Sequence, residues 1–180
     1  MPSRYRRAGT LLVTGIARIA RSSVAVTALA ACAAQRADTT EADVAAITRA
    51  ANEWAAAVQA GNLDQIVALF TNDIVLLPPN EPAVAGMDAT RVWGKGLVDA
   101  VTMTSVAIVS DETVVSGDWA FSRGVFRATM QPKGGGSPAA PVANKYILIW
   151  RRQADGSWKI ARDIWNGSEP PPAATAPTAR

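Results

Sequence analysis

Two stretches near the C-terminal end alternate with period two, and both carry large apolar side chains on each face. In residues 145–152, Tyr146, Leu148 and Trp150 point one way, and Ile147, Ile149 and Arg151 the other. In residues 158–166, Trp158, Ile160, Arg162 and Ile164 alternate against Lys159, Ala161, Asp163 and Trp165. A sheet built from such strands cannot leave either face in water. One face packs on helices. The other needs a pocket, a partner chain or a sheet curled strongly on itself.

The helices that could cover such a sheet lie upstream. Val44, Ile47, Ala51, Trp54 and Val58 follow spacings of three, four, three and four, which lay one apolar stripe along a helix over Asp43–Ala60. Thr40 and Asp43 form a candidate capping pair at its start, and Gly61 suits the left-handed residue that closes it. Asn62 then caps a shorter helix through Phe70, with Ile66, Leu69 and Phe70 on its apolar side. Asp73–Leu77 reads as a strand stopped by Pro78 and Pro79, followed by a loop over Asn80–Met87. Asp88 is positioned to cap a third short helix containing Val92, Trp93 and Leu97.

Beyond that helix the period becomes extended. Val101–Val109, Thr113–Ser116, Trp119–Met130, Asn144–Arg152 and Trp158–Asn166 read as strands. Gly117-Asp118 and Asp155-Gly156 mark tight turns, and Pro132–Val142 a glycine- and proline-rich loop. Short turns between consecutive strands imply antiparallel neighbours. The expected class is α+β, three helices followed by an antiparallel sheet.

Composition then removes several chemistries. The 180 residues include no histidine, which excludes serine–histidine triads, imidazole-based zinc centres and histidine acid–base catalysis. A single cysteine, Cys32, excludes an internal disulfide or a thiolate-rich metal site. The formal charge of +3 is unevenly spread: Arg4, Arg6, Arg7, Arg18 and Arg21 all precede residue 32, where no acid occurs. The thirteen basic and fifteen acidic residues that remain give a net charge of −2, so no nucleic-acid footprint is expected on the folded part. Asp111-Glu112 lacks the further oxygen ligands a metal ion needs, and Gly134-Gly135-Gly136 lacks the lysine and hydroxyl of a phosphate loop. Neither a metal nor a cofactor is expected.

The arginine-rich start is followed by an uncharged apolar run over Ser22–Ala31, the pattern of a secretory signal. That run is too short to span a hydrocarbon layer about 30 Å thick. It ends in Leu29-Ala30-Ala31-Cys32, which resembles the bacterial lipobox, where the cysteine thiol receives lipid. The expectation is a signal peptide over residues 1–31, lipid on Cys32, a polar tether over 32–41 and anchoring to the cell-envelope membrane. Ordinary cleavage into a soluble periplasmic or secreted form, or a leader with an incidental cysteine, are the alternatives. Glu169–Arg180 has four prolines and no periodicity, and residues 168–180 read as a disordered tail.

Between these ends, residues 42–167 resemble the nuclear-transport-factor-2-like superfamily, in particular its SnoaL-like and ketosteroid-isomerase-like bacterial branch. The resemblance is carried by Trp54 through Asp64, Ile66 through Phe70, Asn72 through Pro79, Gly86 and Asp155 through Trp165. It implies a cone: a long first helix, two shorter helices and a strongly curved antiparallel sheet around a central apolar cavity. It also implies an isomerase-type comparison, in which the tyrosine position falls on Trp54, the base position near Pro78 and the second acid near Tyr146. Proline moves no proton, and an indole N–H donates without acting as an acid at working pH. That isomerase machinery is therefore absent, although the handling of carboxyl groups it illustrates remains relevant.

The residues expected to line a ligand site are Trp54, Leu77, Tyr146, Asp163 and Trp165. If Asp163 points inward, burial raises its pKa and equips it for acid–base work beside the Tyr146 hydroxyl. The structural alternatives are an Asp163 ion pair with Arg162, Arg123 or Arg127, and a Trp54 that is simply core. The first functional expectation is an exported domain that binds a small apolar or aromatic molecule or acts as an accessory. The alternatives are a lyase, hydratase or isomerase using Asp163 and Tyr146, and a module that dimerises through the outer sheet face.

Overall fold

The computed structural model describes residues 22–135 and 138–168, with side chains described from Thr40 onward. Residues 1–21 of the signal-peptide reading, the Cys32 thiol and the tail from residue 169 lie outside that description. Among the described residues no helix is long and apolar enough to cross a membrane. The elements are α1 (Ser22–Ala60), α2 (Leu63–Ala68), β1 (Phe70–Leu77), β2 (Val84–Ala85), α3 (Met87–Ala100), β3 (Val101–Ser116), β4 (Trp119–Pro132), β5 (Ala140–Arg152) and β6 (Trp158–Gly167).

The three helices and the sheet follow the local rules read above, with informative exceptions. Gly61 sits at φ 64° and closes α1, and the Asn62 carboxamide accepts the Gln65 N–H at 3.1 Å to start α2. Asp43 does not cap: α1 runs through it, and its carboxylate is used across the fold instead. Asp88 lies in the first turn of α3, where the N-cap is Gly86 at φ 85°. Leu69 and Phe70 leave the second helix, and Phe70 opens β1.

All six strands form one sheet in the order β2-β1-β6-β5-β4-β3. The run from β3 to β6 is antiparallel, as its short turns require. The sheet as a whole is mixed, because β1 pairs with β6 in parallel. The antiparallel rule covers only strands joined by tight turns. β1 reaches β6 through a long crossover that carries α3 and four strands, β2 through β5, and such a connection permits parallel pairing.

Ser110-Asp111-Glu112, read as a break between strands, is a bulge within the single strand β3. A second irregularity lies between Thr104 and Ala107, where Ser105 has φ 51° and the side-chain Oε1 of Gln59 accepts the Val106 N–H at 3.0 Å. Extra residues of this kind bend a strand and sharpen its twist, which curves the sheet over the helices. Gly124 faces the first bulge; a Cβ there would overlap the Val109 carbonyl oxygen.

Ile47 and Ala51 from α1 meet Ile74, Leu76, Leu148, Trp150, Trp158 and Ile160 in the core. Trp150 is fully buried and donates its indole N–H to the Ser122 hydroxyl oxygen at 2.9 Å, so its polar edge is satisfied. The opposite face of the sheet exposes Leu77, Val114, Trp119, Ile147 and Ile164.

One polar cluster ties the helix to the end of the sheet. Arg152 donates two hydrogen bonds to Asp43, at 2.6 and 2.5 Å, and its guanidinium lies 4.4 Å from the Trp158 ring centre. The Trp158 indole N–H donates to the same carboxylate at 3.2 Å. The Arg152 bonds, with that of Trp158, hold the Asp43 carboxyl below the usual carboxylate range. The stabilisation is therefore present above the unfolded pKa and is lost as pH falls through the lowered folded value. Replacing Asp43 with alanine leaves Arg152, at 24% side-chain exposure, with only the exposed Asp118 carboxylate at 3.4 Å as an acidic partner. We expect Asp43→Ala to cost about 2–3 kcal/mol in urea unfolding at neutral pH, with the deficit shrinking in acid. An unchanged midpoint at neutral pH would remove the cluster from the list of stabilising contacts.

Candidate functional site

Between the helices and the inner face of the sheet lies a cavity of about 460 Å³, a size typical of small-molecule sites. Its walls come from the end of α1, from α2 and α3, from β1 and from β3 through β6. Helical spacing places Thr90, Trp93, Gly94 and Leu97 of α3 on one side of it. Two edge-to-face aromatic pairs stand in the wall. Trp54 and Phe126 have ring centres 5.8 Å apart at 63°, and Trp93 and Trp165 are 5.8 Å apart at 66°. Trp93 is held from outside by its indole N–H, which donates to Glu81 at 2.9 Å.

Asp163 reaches this cavity through a defect in strand pairing. Across β5 and β6, Leu148 opposes Asp163 and Trp150 opposes Ile160. Two steps on β5 therefore match three on β6, and the extra residue is Ala161 in a β-bulge. Strict alternation would put Ile160 and Asp163 on opposite faces. The bulge resets the phase, so Trp158 and Ile160 fill the core while Asp163 and Trp165 line the cavity.

The resulting carboxyl group is unusual. Asp163 is 7% exposed, and among the described residues none hydrogen-bonds or ion-pairs with it. The arginines that might have neutralised it are used elsewhere. Arg123 pairs with Glu112 at 2.7 Å and approaches Asp111 at 3.8 Å, while Arg162 donates to the backbone carbonyls of Asp73 and Ala161. Burial alone pushes the Asp163 pKa up from 3.8 to about 7. Two further polar groups in the wall have no hydrogen-bond partner among the described residues: the Trp54 indole N–H and the Thr90 hydroxyl. Unpaired buried groups of this kind cost roughly 1–3 kcal/mol each, which a complementary ligand can recover.

Of the other expected residues, Trp54, Tyr146 and Trp165 line the cavity with Asp163. Leu77 does not. It is 37% exposed on the outer face, and its neighbour Leu76 is the buried wall residue, because β1 alternates one position out of step with the expectation. Tyr146 and Asp163 share the wall but make no hydrogen bond to each other. The Tyr146 hydroxyl lies 2.8 Å from the Ser110 hydroxyl, and burial raises its pKa, so it remains a neutral hydroxyl in the working range. Thr90, Trp93, Phe126 and Lys133 also line the cavity, beyond the residues expected from the sequence. The three-four spacing of Thr90, Trp93 and Leu97 was the available signal for the α3 wall.

The SnoaL-like domain family matches residues 51–162. Among solved structures, a ketosteroid isomerase-like protein from Erwinia carotovora atroseptica is 30% identical. That alignment covers 70% of this chain and 96% of that one, with a TM-score of 0.64. A conserved protein from Planctomyces limnophilus is 23% identical over 71% of this chain and 98% of its own, with a TM-score of 0.63. A nuclear-transport-factor-2-like superfamily protein from Salmonella enterica is 13% identical over 72% and 94%, with a TM-score of 0.59. Among curated proteins none matches the chain.

The raised Asp163 pKa has a thermodynamic consequence with a definite sign. Between pH 3.8 and about 7 the folded state keeps a proton that the unfolded chain releases, so stability falls as pH rises through that window. The full cost, roughly 4 kcal/mol, is reached above the folded value. Asp163→Asn should match the wild type at the acid end of the window and exceed it in stability above neutrality, read by urea unfolding across pH. Parallel pH profiles for the two proteins would mean that the carboxyl is not buried in this way.

Proposed function

The chain belongs to the SnoaL-like family of the nuclear-transport-factor-2-like superfamily, and we propose that its cavity binds a small, mainly apolar molecule whose polar group meets Asp163. The observation that carries this reading is the buried carboxyl without a protein partner, set in a wall of aromatic and aliphatic side chains. A fold that sheds such a cost in one step, by substitution to leucine, retains it where the group is used. Trp54 and Thr90 add a donor and a hydroxyl for an oxygen of the same ligand.

A proton-transfer reading follows from the position of the Asp163 pKa at about 7. Such a group accepts a proton from an acidified C–H or O–H and returns it without leaving the neutral range. Developing charge on a ligand oxygen would be met by neutral donors, the Trp54 N–H and the hydroxyls of Thr90 and Tyr146. This is an acid–base reading centred on Asp163, with Tyr146 as a hydrogen-bonding wall group. It supports an isomerase, hydratase or lyase type of step without the base that the isomerase resemblance would place near Pro78.

The test is a thermal-shift and tryptophan-fluorescence screen of aromatic and alicyclic alcohols, phenols and ketones. A ligand present at about 100 times its Kd should add about 2.7 kcal/mol of stability. Asp163→Asn should weaken a hit by about tenfold, and for any hit that turns over it should lower kcat by about 10²–10⁴-fold. Hits that bind wild type and Asp163→Leu equally well would exclude Asp163 as the contact.

The leader supports a second part of the reading, that the mature protein begins at an acylated Cys32 on the cell-envelope membrane. Several acyl chains hold a protein stably where one chain is marginal. Mass spectrometry of the membrane fraction should find the N-terminal peptide starting at Cys32 with lipid mass. An unmodified peptide that retains residues 1–31 would overturn it.

A further inference from the structure

Only two charged side chains among the described residues line the cavity, Asp163 and Lys133, and they differ in every respect that matters to a ligand. Asp163 is buried, whereas Lys133 is exposed and marks an end of the cavity that opens to solvent. Lys133 follows β4 directly, and two contacts fix it against the C-terminal end of α3. Its backbone N–H donates to the Ala100 carbonyl at 2.8 Å, and its Nζ donates to the Val98 carbonyl at 2.8 Å. An ammonium has three donors, so two remain for another partner. Among the described residues no carboxylate pairs with it, although Arg91, Lys95, Arg123, Arg151 and Arg152 all have acidic partners.

We propose that Lys133 is the anion subsite of the cavity, receiving the anionic head of an amphiphilic ligand whose apolar body lies along the aromatic wall toward Asp163. The proposal rests on the reading that the cavity binds a small, mainly apolar molecule, and it adds the class and direction of that molecule. Strand register supports an elongated occupant. Asp163 lies opposite Leu148, while the lining residue Val142 is six positions earlier on β5, or roughly 20 Å along an extended strand. Curvature shortens the direct path but not the run of wall. Favourable contact with α3 carbonyls accounts for one Lys133 hydrogen bond and for a fraction of a kcal/mol of helix-end stabilisation. It leaves the other two donors at the cavity opening unused.

The two charges also set direction. An anionic head at the Asp163 end would lose its hydration inside an apolar wall beside a carboxyl group. At Lys133 it keeps part of its water and gains a charge-assisted hydrogen bond. An uncharged head can accept a hydrogen bond from Lys133, as the Val98 carbonyl does, but it gains no charge pairing.

A matched pair of probes tests this: 6-phenylhexanoate and its primary amide, 6-phenylhexanamide, titrated against the full mature chain. Binding is read by tryptophan fluorescence, since Trp54, Trp93 and Trp165 line the cavity. The acid should bind wild type about fivefold more tightly than the amide at low ionic strength, with the preference shrinking as salt is added. Lys133→Met keeps the apolar stem and should abolish the preference, weakening the acid about fivefold more than the amide. Lys133→Glu should reverse it. Circular dichroism melts of both variants confirm the fold. Equal binding of acid and amide to wild type, or a preference that survives Lys133→Met, overturns the anion subsite and leaves the apolar-ligand reading intact. Binding of neither probe, with no fluorescence change for any member of the earlier screen, overturns both.

Discussion

A strand can serve a dry core at one end and a ligand cavity at the other only if its inner face stays continuous while its chemistry changes. In β6 the extra residue Ala161 does this. It allows Trp158 and Ile160 to fill the core and then turns Asp163 and Trp165 to the same side. Were the same residues paired without the bulge, the cavity position opposite Leu148 would be taken by Arg162, and Asp163 would oppose Ile147 on the outer face. The same backbone device recurs in β3, where two irregularities bend the strand and Gly124 admits the backbone of its neighbour. Curvature and site placement thus share one cause, the insertion of unpaired residues into otherwise regular ladders.

Much of this was legible in the residues, because it follows from period and from turn chemistry. The apolar stripe through Ile47, Ala51 and Trp54 placed the core face of α1, and Gly61 and Asn62 marked the boundary between two helices. Asp155-Gly156 formed the turn it implied, with the Asp155 carboxylate accepting from the Ser157 backbone and hydroxyl. The errors have a common origin. Local rules do not encode events between distant strands, so the parallel pairing of β1 with β6 was invisible, and the phase that separates Leu76 from Leu77 was taken the wrong way. Asp163 was found by strict alternation that assigned it to the face opposite Ile160. Its inward orientation needs the bulge, which no residue at 161 announces. Asp43 shows the same limit: its spacing from Thr40 suggested a cap, while its partners are Arg152 and Trp158, more than a hundred positions away.

The energetic contrast between the two buried aspartates separates structure from function. Asp43 accepts from a guanidinium and an indole, its pKa is lowered, and ionisation strengthens the fold. Asp163 accepts from no group among the described residues, its pKa is raised, and ionisation weakens the fold. Surface exposure is equal for the two, at 7%, so exposure alone does not distinguish a carboxylate paired within the fold from one without a partner among the described residues. What differs is the wall around each. Asp43 faces groups that complete its hydrogen bonding, and Asp163 faces space.

That space also bears on the isomerase comparison. The position at which a base would be expected is occupied by Pro78, one residue past the end of β1. In the parallel ladder Leu76 is the registered neighbour of Asp163, and Leu77 that of Ile164. A carboxyl on β6 at this register therefore lies one strand away from the end of β1, near 5 Å across the sheet. On the acid–base reading proposed above, a proton acceptor at Asp163 would stand about 8 Å from the Pro78 position, one strand across and two residues along, and would meet a different bond of a bound molecule. Ligand direction then becomes the deciding variable, because a molecule entering with either end first would offer Asp163 a different proton. A cation at the opening that holds one end of the molecule would make that choice for every bound copy, which ties the chemistry at Asp163 to a residue at the far end of the same wall.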